Sequence, residues 1–369
     1  MKGGSQLNVF ERMAEFGHEQ VIFCHDQGSG MRAIIAVHNT ALGPARGGTR
    51  YANYASEEDA LEDALRLARG MTYKFAWTDM PRGGAKAVLM GSPDADKAVQ
   101  LRVYGRHVEL LAGRFGTGPD YGTGPADIAE IARETRFVWG TGEDLGGTGD
   151  SSPFTAEGVM AGILASLDVV FGSPHPRARS VALQGLGAVG GELAERLVAA
   201  GATVVGCDVD ERRASRFADR LGLTLVAPEA IYEHPCDVFS PNARGGTINQ
   251  QTIRRLRTRI VAGGANNQLG EPADGHRLHA RGILYAPDYV INSAGAYIIA
   301  GRGDLGYSDA HVRHAAIAIG DALRLIYRRA AAEDRPTAEI ADVIAEERIA
   351  AAARSRALAP GPAANGAHA

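Results

Sequence analysis

Lysine is rare in this chain, and two of its lysines lie where they could do chemistry. The 369 residues contain 39 lysines and arginines together, but the only lysines are Lys2, Lys74, Lys86 and Lys97. Lys74 and Lys86 lie in apolar, glycine-rich surroundings, and the other two lie in polar ones. Because burial lowers the pKa of a lysine side chain, lysine can exchange a proton near neutral pH, which arginine cannot. We therefore expect chemistry at Lys74 and Lys86, the alternative being that both are ordinary surface lysines.

Three glycines later in the chain have the spacing of a dinucleotide-binding loop. Gly185, Gly187 and Gly190 lie in Gly-x-Gly-x-x-Gly order between a predicted strand and a predicted helix. The first permits a tight turn, the second lets the backbone approach a pyrophosphate, and the third lets helix and strand pack closely. The first helical residues, Ala188 and Val189, would offer N–H groups to the phosphates. The alternative is an ordinary glycine-rich turn.

A carboxylate follows this loop at the distance expected for ribose binding. Asp208 ends the next predicted strand, 23 residues after Gly185, where it can bind the hydroxyl groups of the adenosine ribose. Asp208 would repel a 2′-phosphate, which favours NAD over NADP as the cofactor. Arg212 and Arg213 follow and weaken this preference, although such arginines are often only the exposed start of a helix.

The elements around Lys74 are predicted to be a hairpin and a helix. Residues 19–26 and 31–38 are apolar runs joined by a glycine-containing turn, which is typical of a β-hairpin. Ser56 has the pattern of a helix start, and apolar residues then recur at helical spacing to about Arg69. Lys74 would therefore lie just past the end of this helix.

The segment after Lys74 carries the other candidate catalytic residues. Residues 87–90 are predicted to form a short buried strand, with Lys86 at a glycine turn that enters it. Residues 94–115 are predicted to be helical. The glycine-rich stretch 116–124 follows and contains Asp120.

The second half of the chain alternates short apolar strands with helices, which is the pattern of a parallel α/β sheet. Two long helices are predicted to close the chain. The predicted strands are residues 181–184, 203–207, 236–240, 259–262 and 283–286, and the predicted helices are 188–200, 308–332 and 337–354.

The composition argues against several classes of protein. The net charge is −4 and basic residues are interspersed with acidic ones, so we expect no nucleic-acid partner. The start of the chain lacks an apolar signal region and no apolar run is long enough to span a bilayer, so we expect no membrane partner and a cytoplasmic location. Cys24, Cys207 and Cys236 lack metal-ligand spacing, so we expect no metal and a reducing compartment.

Lys74, Lys86 and Asp120 are the residue types that hydride transfer to or from an amine requires. Such an enzyme needs a cation for the substrate carboxylate, a base of shifted pKa and a carboxylate that moves protons. At this point the chain closely resembles the Glu/Leu/Phe/Val dehydrogenase family, most of all its leucine, phenylalanine and tryptophan dehydrogenases. The resemblance runs from Glu19 to about Ile326, through motifs at residues 42–50, 56–74, 83–86, 118–120, 152–155, 184–190, 261–268 and 285–292.

The resemblance implies a two-domain α/β fold with a cleft between the domains. Residues 1–145 would form the substrate-binding, catalytic and oligomerisation domain, and a C-terminal helix at about 330–358 would pack back on it. Residues 146–329 would form a doubly wound Rossmann domain that binds NAD, and 359–369 a disordered tail. The glycine-rich residues 140–152 would be the hinge. Closure of the domains would expel water before hydride transfer.

The resemblance also implies roles for single residues in the substrate site. Lys74 would bind the α-carboxylate of the amino acid, and Lys86 would assist the attack of water on the imine. Asp120 would exchange protons with the substrate nitrogen and water, although from the residues alone it could simply cap a turn. Gly47 and Gly48 would also contact the substrate.

Further roles fall on the second half of the chain. Thr155 would contact the nicotinamide carboxamide, and Asn242 would also bind the cofactor. Asn266 or Asn267 would meet the nicotinamide ribose or the substrate amine, Asn266 being assigned to the cofactor and Asn267 to the substrate. Asn292 would lie at the floor of the cleft. Purely structural roles in a loop or at a helix start are the alternatives for these residues.

The chain departs from the family pattern next to these residues. Ala85 replaces the third glycine before Lys86, so its methyl group could crowd the substrate α-carbon or tilt the lysine. Pro119 replaces a glutamate or glutamine before Asp120. Ser293 and Ala294 add small bulk at the cleft floor.

Arg46 is the departure that bears most on the substrate. Apolar relatives carry leucine or a small residue there, facing the substrate side chain, and Gly118, Ala296 and Ile299 would form the other pocket walls. The two small residues predict a wide pocket, suited to a bulky aromatic side chain with Arg46 turned to solvent or stacked. Alternatively a polar or acidic substrate would pair with Arg46, or Arg46 would form a salt bridge within the protein, for instance to Asp79.

Three classes of function follow from these patterns. The first is a homodimeric or larger NAD-dependent enzyme that interconverts an L-amino acid with its 2-oxo acid and ammonia. The second is a specialised biosynthetic relative that reduces an imine formed by another enzyme. The third is a non-catalytic NAD-binding regulator, which the presence of Lys74, Lys86 and Asp120 together disfavours.

Overall fold

The computed structural model describes residues 8–91, 95–142 and 147–358, and the chain forms two compact units. The first unit comprises Met1–Val138 and Val343–Ala369, and the second comprises Trp139–Asp342. The domain change expected after residue 145 falls within residues 143–146, which lie outside the described residues. The tail predicted at 359–369 also lies outside them.

The first unit is built on a five-stranded sheet of order β1-β2-β4-β3-β5. β1 pairs antiparallel with β2 and β2 with β4, whereas β3 is parallel to both β4 and β5. The predicted hairpin is thus β1 and β2. The strands are β1 (Gln20–Asp26), β2 (Met31–Asn39), β3 (Ala45–Ala52), β4 (Gly83–Met90) and β5 (Phe115–Pro119), and the helices are α1 (Val9–Phe16), α2 (Glu57–Ala76), α3 (Lys97–Leu110) and α4 (Pro125–Ala132).

Each face of this sheet is covered by helices. α2 starts at Ser56, whose side chain accepts the backbone N–H of Asp59, and its apolar stripe packs on β2 and β4. Leu65 of that stripe is fully buried, which contributes about 2 kcal/mol. The other face carries a separate core with side chains from α3 and α4, including Tyr104 and Ile128.

Two predictions for the lysine segment are wrong. α2 continues to Ala76, so Lys74 lies in its last turn and not beyond its end. Lys86 lies within β4 and not at a turn that enters the strand. Lys86 belongs to the strand because Gly83–Lys86 already pair with β2 and β3. α2 packs closely on this part of β4: a Cβ on Gly84 would come 2.0 Å from the backbone nitrogen of Thr72. That contact holds the last turns of α2 against β4.

The boundaries around β3 and β5 also differ from the predictions. β3 has no counterpart among the predicted elements, because its glycines and arginines hide the apolar alternation of a strand. The helix predicted to reach residue 115 ends at Leu110. Ala112 and Gly113 then adopt positive φ angles of 47° and 85°, which turn the chain into β5.

The second unit has a parallel six-stranded sheet, and its order β8-β7-β6-β9-β10-β11 is the 3-2-1-4-5-6 order of a Rossmann fold. The strand order reverses between β6 and β9. The strands are β6 (Ser180–Gln184), β7 (Thr203–Cys207), β8 (Thr224–Leu225), β9 (Val238–Pro241), β10 (Ile260–Val261) and β11 (Leu284–Tyr285). The helices are α5 (Ser152–Phe171), α6 (Ala188–Ala199), α7 (Glu211–Leu221), α8 (Gln250–Arg255), α9 (Ala273–Ala280), α10 (Asp288–Ile291), α11 (Ala294–Ala296), α12 (Gly303–Leu305), α13 (Asp309–Glu333) and α14 (Thr337–Leu358), with a 3₁₀ turn at Ile231–Glu233 and a π-helix at Tyr297–Arg302.

α5 is long and apolar enough to cross a membrane, judged by length and composition, and is alone in this among the helices described. Half of its most apolar stretch is buried within the protein. It packs along α13, where the hydroxyl groups of Ser166 and Tyr327 lie 2.8 Å apart. These contacts are those of a core helix.

The last helix, α14, begins in the second unit and ends in the first. Thr337 donates its hydroxyl to the carbonyl of Tyr285 at 2.6 Å. Further along α14, Arg348 donates to the carbonyl of Ala76 at 2.9 Å and lies over the ring of Trp77 at 4.3 Å. The C-terminal part of α14 therefore fixes the end of α2, next to Lys74.

Candidate active site

Lys86 and Asp120 form an ion pair in the first unit. Lys86 Nζ lies 2.9 Å from Asp120 Oδ1, and Lys86 is only 5% exposed. Lys86 belongs to β4 and Asp120 directly follows β5, so β3 lies between the two strands. The contact passes over Gly48 of β3, where a Cβ would come 3.3 Å from Lys86 Nζ. Glycine at this position leaves room for the pair.

Arg50 holds the other oxygen of Asp120. Its Nε donates to Asp120 Oδ2 at 2.9 Å, and its Nη1 donates to Asp63 of α2 at 2.8 Å. Burial alone would raise the pKa of Asp120, but the positive charges of Lys86 and Arg50 outweigh burial and lower it. Asp120 is therefore an ionised carboxylate at neutral pH, held at both oxygens.

Arg46 lies on the same face of β3 as Gly48 and Arg50, because alternate residues of a strand share a face. Arg46 is buried, and its Nη1 donates to the carbonyls of Ala45 at 3.0 Å and Gly113 at 3.2 Å. These bonds tie one side of the guanidinium to the start of β3 and to the turn before β5.

The other substrate-site candidates of the first unit surround the same three strands. Lys74 is half-buried in the last turn of α2. A Cβ on Gly47 would come 1.7 Å from the carbonyl oxygen of Ala85, so glycine lets β3 and β4 approach closely. Gly118 of β5 is in register with Gly48.

The expectation that Ala85 crowds the substrate or tilts Lys86 is wrong. Ala85 is fully buried in the core that includes Leu101 and Tyr104 of α3. Neighbouring residues of a strand point to opposite faces, so the methyl group of Ala85 is directed away from Lys86.

The glycine loop of the second unit follows β6, at the point where the strand order reverses. Gly185 has a φ of 91°, a conformation that side chains rarely adopt. A Cβ on Gly190 would come 2.0 Å from the carbonyl oxygen of Gly185, so α6 packs tightly on the loop. Gly187 caps α6, with Ala188 and Val189 in its first turn, and within the described residues nothing lies within 4 Å of the place its Cβ would take. Free N–H groups beside open space suit a pyrophosphate.

Asp208 follows β7 and already has four hydrogen-bond donors. Oδ2 accepts the N–H of Leu186 at 2.7 Å and Arg213 Nε at 3.3 Å, and Oδ1 accepts the N–H of Asp210 at 2.9 Å and Arg213 Nη2 at 2.8 Å. Burial would raise the pKa of Asp208, but these hydrogen bonds outweigh it and lower the pKa. Arg213 therefore binds Asp208, the residue proposed to hold the ribose, and is not simply an exposed residue at the start of a helix.

Three candidate asparagines meet around Gly264. Asn242, which follows β9, accepts the N–H of Gly264 at 2.8 Å. Asn292 donates to the carbonyl of Gly264 at 3.2 Å and to Asn266 Oδ1 at 2.7 Å. The Oδ1 of Asn292 is buried and has no hydrogen-bond partner in the described part of the chain. Asn267 has a φ of 50° and shapes the adjoining turn.

The remaining candidates lie near the start of α5 and in the segment after α10. Thr155 is buried in the first turn of α5 and donates its hydroxyl to Ser151 at 3.0 Å. A Cβ on Gly295 would come 2.8 Å from Thr155 Oγ1. Ala296 of α11 and Ile299 of the π-helix are half-buried. Thr155 thus contacts the segment that carries Ala296.

Sequence reasoning missed Arg50 and Asp63 as parts of the site. Recognising β3 as a strand would have placed Arg50 on the face of Gly48. Asp63 lies beside the buried stripe of α2, next to Ala64, where a carboxylate can reach a cation on the sheet. Both signals were present, but neither identifies Asp120 as the common partner.

The Rossmann sheet of the second unit, with its glycine loop and following carboxylate, and the buried lysine–carboxylate pair of the first unit are the features of a NAD(P)-dependent dehydrogenase. Comparison with known sequences specifies which one: the chain belongs to the Glu/Leu/Phe/Val dehydrogenase family. The sequence model of the family that is described as Glu/Leu/Phe/Val dehydrogenase, dimerisation domain, matches residues 18–137. The model described as Glutamate/Leucine/Phenylalanine/Valine dehydrogenase matches residues 208–301. The protein is thus an enzyme of the amino-acid dehydrogenase class.

Individual relatives agree with this assignment over nearly the whole chain. Leucine dehydrogenase from Geobacillus stearothermophilus is 42% identical over 351 residues, covering 95% of each chain. Phenylalanine dehydrogenase from Thermoactinomyces intermedius is 44% identical over 345 residues, covering 93% of this chain and 94% of the relative. The crystal structure of L-tryptophan dehydrogenase from Nostoc punctiforme is 39% identical, has a TM-score of 0.82, and is matched over 93% of this chain and 99% of its own.

Proposed function

We propose that this enzyme catalyses the reversible, NAD-dependent oxidative deamination of an L-amino acid with a bulky side chain to its 2-oxo acid and ammonia. The observation that carries the proposal is the buried ion pair of Lys86 and Asp120, in a chain similar to leucine, phenylalanine and tryptophan dehydrogenases. A paired amine and carboxylate can move the protons that conversion of an amine to a ketone requires.

The second unit offers residues that would hold NAD. The open space at Gly187 would accept the pyrophosphate, and Asp208 would bind the adenosine ribose and repel a 2′-phosphate. Thr155, Asn242 and Asn266 would contact the nicotinamide end. Bound NAD supplies the acceptor for a hydride from the substrate α-carbon.

The first unit would supply the substrate-binding cation and the proton transfers. Lys74 would hold the α-carboxylate. Lys86 would first give up a proton through Asp120. As a neutral amine it would then take a proton from the water that attacks the imine carbon, and it would stabilise the resulting carbinolamine. Asp120, ionised and held on both oxygens, would pass protons between the nitrogen and water. Removing one member of a buried ion pair leaves the other as an unpaired buried charge, which destabilises the fold. The site therefore needs both Lys86 and Asp120.

We propose that the substrate side chain is bulky, and we expect the enzyme to prefer aromatic side chains over branched aliphatic ones. Gly118 is in register with Gly48 and adds no side chain, which would leave room for a bulky group. A second candidate is a polar or acidic substrate, which the buried Arg46 on the strand face of Gly48 favours. The variant Arg46→Leu separates the two: an acidic substrate would lose most of its kcat/KM, whereas an aromatic one would keep or gain it.

The test is a panel of 2-oxo acids with ammonium and NADH, including phenylpyruvate, 4-methyl-2-oxopentanoate and 2-oxoglutarate. We expect ammonium-dependent oxidation of NADH with aromatic or branched members. Lys86→Met and Asp120→Asn should each lower kcat at least about 100-fold and leave NADH binding intact. Lys97→Met is the matched control, because Lys97 is a surface residue of the first unit that bonds to Gly122 and Asp127 and lies over the ring of Tyr51.

The panel also separates the competing functions. If no 2-oxo acid with ammonium oxidised NADH but a preformed imine did, the enzyme would be a specialised imine reductase. If neither reacted while NADH still bound, the protein would be a regulator. Either result would contradict the proposed deamination.

We also propose that the enzyme is a homodimer or larger homo-oligomer that acts in the cytoplasm on free amino acids and 2-oxo acids. The N-terminal match is to a dimerisation domain, and the edge strand β1 exposes 52% of Phe23. Light scattering should give at least twice the mass of one chain, and Phe23→Glu should lower it. A monomeric wild type would overturn this assembly.

A further inference from the structure

The Lys86–Asp120 pair is one end of a longer chain of charged groups that the proposed mechanism leaves unexplained. Arg50 connects Asp120 to Asp63, with its Nε at 2.9 Å from the first carboxylate and its Nη1 at 2.8 Å from the second. The side chains of Arg50 and Asp63 are 20% and 15% exposed. A single guanidinium is thus shared by two carboxylates in a mostly buried position.

Asp63 is itself held by two further groups. Its Oδ2 accepts the hydroxyl of Tyr54 at 2.7 Å, and Arg66 lies 3.6 Å from Oδ1, one helical turn away. Burial raises the pKa of Tyr54, so its hydroxyl stays protonated and remains a donor. Asp63 is therefore held in place, and its hydrogen bond with Arg50 competes with the one that Arg50 makes to Asp120.

We propose that Arg50 and Asp63 are positioning residues for the proton transfer at Lys86 and Asp120. Arg50 fixes the Asp120 carboxylate by binding Oδ2, which leaves Oδ1 on Lys86. Asp63 limits the positive charge that Arg50 brings to Asp120. The inference rests on the proposed function, because it presupposes that Lys86 and Asp120 move the protons.

The two residues should act on the proton affinity of the pair in opposite directions. Removing the charge of Arg50 takes away one of the cations that lower the pKa of Asp120, so the pair should bind a proton more strongly. Removing the charge of Asp63 leaves Arg50 to act on Asp120 alone, so the pair holds its protons more weakly. Tyr54, which is neutral, changes neither sign, and a purely structural role for the two residues predicts neither shift.

The experiment compares pH profiles of kcat/KM for amino-acid deamination in the wild type, Arg50→Gln and Asp63→Asn. We expect the acidic limb to move up by about 0.5–1 pH unit in the first variant and down by a similar amount in the second. Arg50→Gln should also lower kcat at least about tenfold, with the KM for NAD unchanged. The matched control is Arg106→Gln, which breaks an exposed two-point ion pair with Glu134 and should leave the profile in place.

The positioning role would be overturned if the acidic limb moved in the same direction in both variants, or in neither, while Asp120→Asn was inactive as the proposed function requires. If Arg50→Gln does not fold, the downward shift in Asp63→Asn decides alone. Arg50→Lys adds a check. It keeps the positive charge but loses the guanidinium that binds Asp120 and Asp63 through two nitrogen atoms. The acidic limb should therefore return to its wild-type pH while kcat stays low. Wild-type turnover in Asp120→Asn would instead contradict the proposed function itself.

Discussion

The backbone of Gly48 runs directly beneath the side chain of Asp120: a Cβ on Gly48 would lie 2.9 Å from the Cβ of Asp120. The same Cβ would lie 2.7 Å from the carbonyl oxygen of Pro119. Strands β4 and β5 are not neighbours, so the ion pair between Lys86 and Asp120 forms only because the strand between them has no side chain at this point. Glycine at position 48 thus leaves the space in which Lys86 and Asp120 can meet.

We expect Gly48→Ala to separate Lys86 from Asp120 and to strain the strand. The backbone oxygen of Pro119 cannot move aside cheaply, so the variant should lose about 1–3 kcal/mol of stability and at least about tenfold in kcat. Gly70→Ala is the control, because Gly70 lies inside α2 with nothing near its added Cβ among the residues described. It should be neutral or stabilising. Thermal melts and steady-state kinetics measure both effects, and equal kcat in the two variants would contradict this role of Gly48.

Much of the fold could be predicted from sequence because its patterns are local. The hairpin, the start of α2 and the strand–loop–helix unit at Gly185–Gly190 depend on apolar periodicity and on glycine spacing. β3 could not be predicted, because it is a central strand made mostly of small and charged residues. What makes it a strand is its pairing with β4 and β5, which are distant in the chain.

The candidate site was predictable to the extent that residue type reveals chemistry. Lys86 and Asp120 could be identified singly, but their contact depends on sheet order, which sequence periodicity does not contain. Arg50 and Arg213 looked like surface cations because arginine fills almost every basic position in this chain. Only the folded structure shows that Arg50 binds Asp120 and that Arg213 binds Asp208.

The pairing of Asp208 with Arg213 predicts how cofactor choice can be changed. Asp208→Asn removes the anion that would repel a 2′-phosphate and releases Arg213 to bind that phosphate. We expect the ratio of kcat/KM for NADH over NADPH to fall at least about 100-fold, which is about 3 kcal/mol. Asp210→Asn is the control: Asp210 caps α7, and asparagine caps a helix about as well, so the variant should keep its stability and leave the ratio unchanged. An unchanged ratio in Asp208→Asn would contradict the assignment of Asp208 to the ribose.

Two buried histidines should make the protein less stable in mild acid. His38 bonds to Thr72 Oγ1 at 2.8 Å and to the carbonyl of Phe16 at 2.9 Å, and the ring of His18 lies 4.8 Å away. Burial lowers the pKa of His18 to about 3 and that of His38 to about 4, from 6.5. Above pH 6.5 both are neutral in the folded and unfolded states, so they contribute no pH dependence there.

As the pH falls below 6.5, the unfolded chain binds protons that the folded protein excludes. The free energy of unfolding should therefore fall by up to ~1.4 kcal/mol per pH unit for each histidine, down to about pH 4 for His38 and pH 3 for His18. Melting temperatures at pH 7.5 and 5.5 measure this loss. His38→Gln should reduce the pH dependence, even if it lowers stability overall, and the exposed His175→Gln should not. Equal pH dependence in all three proteins would disprove the assignment.

Gly187 and Gly190 should fail for different reasons when they become alanine. Gly190→Ala places a methyl group 2.0 Å from the carbonyl oxygen of Gly185, so α6 must move and stability should fall by about 1–3 kcal/mol. Gly187→Ala meets open space within the described residues, and its φ of −73° suits any side chain, so stability should change by less than ~1 kcal/mol. Its methyl group would nevertheless occupy the room proposed for the pyrophosphate, so NADH should bind at least about tenfold more weakly. Melting curves and NADH fluorescence titrations separate the two effects, and wild-type NADH affinity in a folded Gly187→Ala variant would show that the phosphates bind elsewhere.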